Sequence, residues 1–314
     1  MGKKILRSIK LLIGLSLIGL FFWFLIPIFN IESLSKLFSS LLTHPVWLIA
    51  MVVGYTIAFL LRALSWKLVI NRNVSYKVFI SGIFYSLFFN HILPLKGGEA
   101  VRIGTLAQHP EVRVNHSVKT VVSLRFLDLI WLGLFAIIGA TLMGINLSYR
   151  VVIIFSIVGI VTLALLLIIH KLRKLPFFVV KQFNDFKRLF SSKTGTLIVV
   201  LSGISWIAEG IVVYGVARFS APAFSYMDAI WVTSLSVGAG VFQLAPGGLA
   251  TYESVMSFSL YQYGFSMEDA LSVAIITHGF KYLYSFAAGA LAFYMYPLRL
   301  HKLKSFLSKK GETQ

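Results

Sequence analysis

The chain has 314 residues, 58% of them hydrophobic and only 13% charged, with a mean hydropathy of +0.84. That composition excludes a soluble globule and exceeds what one buried core absorbs, so the chain reads as an all-α polytopic membrane protein. The formal charge of +18 lies in short segments between apolar runs, which fits orientation and contact with anionic lipid rather than nucleic acid, and the lack of cysteine excludes disulfides, a thiol nucleophile and thiolate metal ligands.

In chain order, windows of about 20 apolar residues predict spans at 11–29, 46–66, 118–143, 151–170, 196–218 and 270–296. The first is flanked by Lys3, Lys4, Arg7 and Lys10 in the manner of a signal sequence. Its length suits a span and no small-residue cleavage site follows, so it is read as a retained helix. Two further apolar stretches, 78–107 and 228–262, are each broken near the middle, one by Pro94 and Gly97-Gly98, the other by Pro246 and Gly247-Gly248. The segment 171–195 is basic, and 176–190 within it interleaves aromatic pairs with Lys and Arg, as a helix lying on the membrane surface does. The chain forms a single membrane domain: one half at 46–143, a connecting helix at 151–170, a second half at 196–296 and a basic tail at 297–314.

Lys and Arg decide how the two broken stretches run. The strongly basic segments are the N-terminus, Arg62 to Lys77, Lys171 to Lys193 and Arg299 to Lys310, and such segments stay cytoplasmic. All of them do so if 78–107 enters from the cytoplasm, turns at Pro94–Gly98 and leaves by the same face. By the same count 228–262 enters from outside and turns at Pro246–Gly248, followed by a linker with the acidic Glu268 and Asp269. The expected fold therefore has about six transmembrane helices plus two oppositely oriented re-entrant helical hairpins, an inverted repeat with both termini cytoplasmic. Broken helices in corresponding halves point to a transporter site near the midplane, since backbone that leaves helical geometry inside a bilayer must be buried in protein or face water. A pair of kinked but complete spans is the alternative.

Ionisable side chains at membrane depth are costly, which makes each a functional candidate. Arg125 and Asp128 share a helix face three residues apart. They either fix helix packing as an ion pair or present Arg125, oriented by Asp128, to a phosphate that its planar guanidinium holds by two hydrogen bonds. Gly97 and Gly98 expose backbone N–H groups at a helix start, a natural anion site, and Arg102 adds a full charge one turn on. Glu99 competes for those donors, caps the helix as a first-turn acid, or pairs with a base across the site. The second turn, with Gly247, Gly248 and Glu253, has no arginine of its own. His278 and Lys281, again three apart, are the bases available to it, and Glu209 is a lone acid in the fifth span that meets Lys281's need for a partner.

The motifs "LPLKGGEAVRIGTLAQ", "SVKTVVSLRFLDLIWLGL" and "APGGLATYESVMSFSLYQYGFSMEDALSVAIITHGFKYLYSFAAGALAF" resemble, in order and spacing, those of the lysylphosphatidylglycerol synthase transmembrane (flippase-like) family. The resemblance covers most of the chain from about residue 55 to 296. It implies a lipid translocase fold, with Pro94, Gly98, Glu99 and Arg102 on the family's first turn, Arg125 and Asp128 on its middle motif, and Pro246, Gly247, Gly248 and Glu253 on its second turn. The chain departs from the family pattern at Leu124, where an acid is usual, and at His278, where an arginine is usual. No soluble aminoacyl-transferase domain accompanies the membrane part, so the chain is not expected to make aminoacyl lipids.

The reading that follows is a flippase moving a phospholipid or lipid-linked phosphate headgroup between leaflets of a prokaryotic cell membrane. Membrane lipids, anionic or phosphate-bearing, are its expected partners, alongside a second copy of the chain or a lipid-synthesising enzyme. No nucleotide-binding loop is present, and no cofactor, metal or catalytic residue is expected. The alternatives are a membrane-embedded transferase acting on a lipid substrate, which needs an acid cluster or an activated nucleophile, and a scaffold for a lipid-synthesis partner.

Overall fold

The computed structural model describes residues 26–93, 97–142, 192–240 and 246–298, together with Gly19 and Trp23. The expected helix at 151–170, the basic segment up to residue 191, the tail from residue 299, and most of the expected helix at 11–29 lie outside the described residues; the end of the latter, 26–28, is a turn. Among the described residues the regular structure is helical.

Helix α1, Ile31–Thr43, was not anticipated from hydropathy, because its 13 residues are too few to fill a membrane window. It forms because Asn30 caps it, its side chain accepting from the N–H groups of Glu32 and Ser33. Helix α2, Pro45–Ile70, opens on a proline at its first turn and ends on Asn71 in a left-handed conformation, φ 46°. The first broken stretch becomes α3, Tyr76–Ile92, and α4, Gly98–Ala107; α5, Val114–Leu142, follows. The expected span at 196–218 is α6, Lys193–Glu209, continued after Gly210 by α7, Ile211–Ala217. The second broken stretch becomes α8, Tyr226–Ala239, a 3-10 turn at Pro246–Gly248, and α9, Thr251–Tyr261. Ser225 and Asp228 cap α8 reciprocally. The chain then runs through α10, Met267–Met295.

Among the described residues three segments are long and apolar enough to cross a membrane: Pro45–Ile70, Val114–Leu142 and Lys193–Ala217. Helix α10 matches α5 in length but turns Thr277, His278, Lys281 and Ser285 inward. At 1.5 Å per residue, the 10 residues of α4 and the 11 of α9 reach only about half of a ~30 Å hydrocarbon core.

Beside an apolar core, burial departs from that of a soluble protein in two ways. Ile57, Ile130, Leu134, Ile137, Phe286 and Leu291 are exposed, whereas Arg102, Asp128, Glu209, Glu253, His278 and Lys281 are buried. Apolar residues outside and paired polar residues inside are what a hydrocarbon solvent selects. The chain is a membrane protein.

Its helices pack in a regular order. Helix α2 lies against α6, α3 against α10, and α5 against α8; α3 packs on α4 and α4 on α5, while α8 packs on α9 and α9 on α10. Exchanging α2 with α6, the α3–α4 pair with the α8–α9 pair, and α5 with α10 returns the same set of these neighbours.

Candidate functional site

The buried charges gather where these helices meet. Glu99, the second residue of α4, is the hub on one side. Its Oε1 accepts from Arg125 Nε at 2.8 Å, from Arg125 Nη2, and from Ser86 Oγ at 3.1 Å. Glu99 thus reaches across to α5, as a paired acid rather than a free helix cap. Arg102, one turn further along α4, comes within 3.7 Å of Glu99 Oε2 and lies over the Trp66 ring at 4.3 Å. Its Nε has no hydrogen-bond partner among the described residues, although the side chain is buried.

Arg125 is the most open of these bases, with 38% of its side chain accessible. Its Nη1 stands 3.5 Å from Asp128 Oδ2, a loose contact. Asp128 is held instead by α6, its Oδ1 accepting from Trp206 Nε1 at 3.1 Å and Ser202 Oγ at 3.4 Å. The two residues keep their shared face, but Asp128 secures α5 to α6 more than it orients Arg125.

The glycine turn departs from expectation at one amide. Gly98 N donates to Asn90 Oδ1 at 2.9 Å, so this N–H is not open to an anion. A side chain at Gly98 would collide with the Ser86 carbonyl and the Asn90 amide, which explains the glycine there: α4 begins against the backbone of α3. Gly97 stands at the N-cap of α4, and Pro94 lies outside the described residues.

The second turn uses glycine for its dihedrals. Gly247 and Gly248 have φ of 68° and 81°, and Ala250 follows at 72°. Pro246 opens this turn. Glu253, two residues into α9, pairs with His278 of α10, Oε1 to Nδ1 at 2.6 Å, and His278 Nε2 meets the Gly247 carbonyl at 3.1 Å. One turn along α10, Lys281 donates to Glu209 Oε1 at 2.9 Å.

Arg62 corrects the charge count made from sequence. It stands inside α2, two turns before the helix end at Ile70 and half-buried against α6, and does not belong to the basic loop segment. Its Nη2 donates to Glu209 Oε2 at 2.7 Å and its Nε to Ser205 Oγ at 3.1 Å, while its guanidinium stacks on Trp206 at 3.9 Å. Glu209 therefore holds two cations, one on each oxygen. Asn90 and Trp206 were also missed, because neutral side chains raise no flag in a hydropathy reading.

Two adjoining cavities collect these groups. One, of about 60 Å³, is lined by Arg62, Asn90, Arg102, Arg125, Asp128 and Ser202. The other, of about 150 Å³, shares Arg62, Asn90 and Arg125 and adds Glu209, His278, Lys281 and both turn glycines, Gly247 and Gly248. At about 10–15 Å³ per water-sized group, the smaller one has room for a phosphate-sized guest. Among the described residues no three His, Asp or Glu side chains converge as a metal site.

The family model described as lysylphosphatidylglycerol synthase TM region matches residues 11–289. No curated protein and no solved structure matches the chain.

Proposed function

We propose, given that this chain belongs to the lysylphosphatidylglycerol synthase transmembrane family, that it moves a phospholipid or lipid-linked phosphate headgroup between leaflets, with the two adjoining cavities as the headgroup's site. On this reading the chain is a transporter and not an enzyme. The observation that carries it is the convergence of three guanidiniums on one phosphate-sized cavity: Arg125, 38% accessible, beside Arg62 and the buried Arg102. Arginine keeps its charge when buried, and clustered cations in a partly dry site favour an anionic guest. A phosphate in the cavity meets the positive charge of all three, and Arg125 Nη1, held only loosely by Asp128, is the donor nearest to free.

The charges of the site agree with an anionic guest. Arg62, Arg102, Arg125 and Lys281 pair with Glu99, Asp128 and Glu209 in and beside the cavities, one cation more than these acids balance, with Glu253 and His278 paired to each other. A phosphodiester carries the one negative charge that closes the balance. Its acyl tails remain in the surrounding lipid.

The passage would run between two re-entrant hairpins, α3–α4 from the cytoplasmic face and α8–α9 from the other, within six spans and with both termini cytoplasmic in the cell membrane. Two observations support this arrangement: α4 and α9 are too short to cross, and the principal helix neighbours named above survive exchange of the two halves, as an inverted repeat requires. Alternating access follows if one half rocks against the other around the fixed charges.

The test is reconstitution of the purified chain into vesicles with head-labelled phospholipids of several classes, reading leaflet exchange with a membrane-impermeant quencher. Faster exchange of a phosphate-bearing anionic lipid than in protein-free vesicles is expected. Equal rates for every headgroup with and without protein would discard the reading.

A further inference from the structure

We infer that the His278–Glu253 pair is a proton-binding site, and that its occupancy changes the charge of the cavity by one. The consequence for the headgroup anion rests on the reading of the cavity just given; the proton site itself rests on geometry.

Hydrogen-bond geometry counts the protons. His278 Nε2 lies 3.1 Å from the carbonyl oxygen of Gly247, which can only accept, so Nε2 carries a hydrogen. Nδ1 lies 2.6 Å from Glu253 Oε1. One proton must occupy that second contact, whether the pair is written as imidazolium and carboxylate or as imidazole and carboxylic acid. Without it, two lone pairs face each other across 2.6 Å. The pair is shut away from water, at 3% and 6% exposure, and Glu253 Oε2 has no hydrogen-bond partner among the described residues.

The packing of the two halves gives an independent argument. Exchanging them sets α9 on α4 and α10 on α5, which pairs Glu253 with Glu99 and His278 with Arg125. Each acid lies in the first turn of the short helix of a hairpin, each base on the long helix that follows, and each base is three residues ahead of a second charged residue, Asp128 or Lys281. One half thus holds a fixed ion pair and the other a pair that can lose its proton, since histidine is the base whose charge changes near neutral pH.

The surroundings leave the proton as the neutralising charge. Facing the pair are His91 from α3, its ring 6.3 Å from that of His278 and its Nδ1 bound to Leu87 O at 2.8 Å; Tyr252 from α9; and Tyr282 and Lys281 from α10. Across the cavity stand Tyr55 and Arg62 of α2, Arg125 of α5 and Glu209 of α6. Glu32 and Lys36 of α1 and Tyr214 of α7 do not line it. Lys281, Arg62 and Arg125 are already engaged with Glu209 and Glu99. Loss of the proton therefore cancels the one surplus positive charge of the cavity, and by linkage an anion bound there and a proton bound at the pair favour each other.

Two measurements on the purified full chain test this separately. The first is a titration of ¹⁵N-labelled histidine by NMR from about pH 4 to about pH 10. It should reveal a histidine signal that is absent in His278→Arg, titrates in the wild type and shifts its midpoint in Glu253→Gln. A His278 signal that never changes protonation overturns the inference. The second is calorimetry of short-chain phosphatidylglycerol binding in two buffers of different ionisation enthalpy. Above the pair's midpoint the wild type should take up about one proton per lipid and lose affinity about tenfold per pH unit, whereas His278→Arg should bind without proton uptake. Proton uptake that is undiminished in His278→Arg also overturns the inference. A titrating His278 in a protein that binds no lipid would discard the headgroup reading and leave the proton site standing.

Discussion

Arg62 on α2 donates to Glu209 on α6 at 2.7 Å, joining residues 147 apart in the chain. The contact ties the first half of the molecule to the second at the point where α2 and α6 cross, and Lys281 closes it from α10 on the other carboxylate oxygen. Two cations thus depend on one buried acid. Glu209→Ala should destabilise the detergent-solubilised protein by about 3–5 kcal/mol, the usual result of stranding a buried partner. Arg62→Met should cost less, because Lys281 still neutralises the carboxylate. Thermal unfolding of the three proteins measures the order; Glu209→Ala no worse than Arg62→Met would show that the acid is not the shared hub.

The helix start at Gly98 makes a steric prediction. A methyl group there meets the backbone oxygen of Ser86 and the Asn90 side chain, whereas one at Gly97 meets only the flexible Leu93 side chain. Gly98→Ala should therefore lower stability by about 1–3 kcal/mol, with Gly97→Ala clearly milder. Equal unfolding midpoints for the two variants would mean that α4 does not seat on α3 as described.

Asp128 separates charge from hydrogen bonding. Asn in its place keeps an oxygen for Trp206 Nε1 and Ser202 Oγ and gives up only the loose contact to Arg125. Asp128→Asn is expected to stay within about 1 kcal/mol of the wild type, while Asp128→Leu strands the indole N–H and costs about 1–3 kcal/mol. Denaturant or thermal midpoints distinguish them, and a severe loss in the Asn variant would restore Asp128 to the role of an essential ion-pair partner.

The opposed-hairpin arrangement predicts sidedness. The chain has no cysteine of its own, so Leu95→Cys and Leu249→Cys give single reporters, one at each turn. Membrane-impermeant thiol reagents should reach them from opposite faces. Labelling of both from one face would rule out hairpins that enter from contrary sides.

Much of this was legible beforehand because membranes punish exceptions. Pro and paired glycines in the middle of apolar runs located both helix breaks, and the rule that a buried charge needs a partner brought Lys281 to Glu209 and His278 to the neighbourhood of Glu253. What stayed hidden had physical causes. Arg62 sits near Lys67, Arg72 and Lys77, so a charge count merges it with the loop, although α2 runs on to Ile70 and pairs it with Glu209. Asn90 blocks the Gly98 amide from eight residues away in sequence, and an amide side chain in an apolar run carries no charge to mark it. An inverted repeat was expected from the two broken stretches, but which base answers which acid was not: the two acids stand in similar turns, yet their bases are arginine in one half and histidine in the other.

The central claim is that a lipid headgroup occupies the cavity and that Arg102 and Arg125 hold it. Leaflet exchange of a labelled phosphate-bearing lipid should be measured in vesicles carrying wild type, Arg102→Met or Arg125→Met, each first shown to unfold cooperatively. Loss of charge-assisted hydrogen bonds worth about 1.5–3 kcal/mol should slow exchange by roughly ten- to a hundredfold in each variant. Wild-type rates in both folded variants would contradict the account.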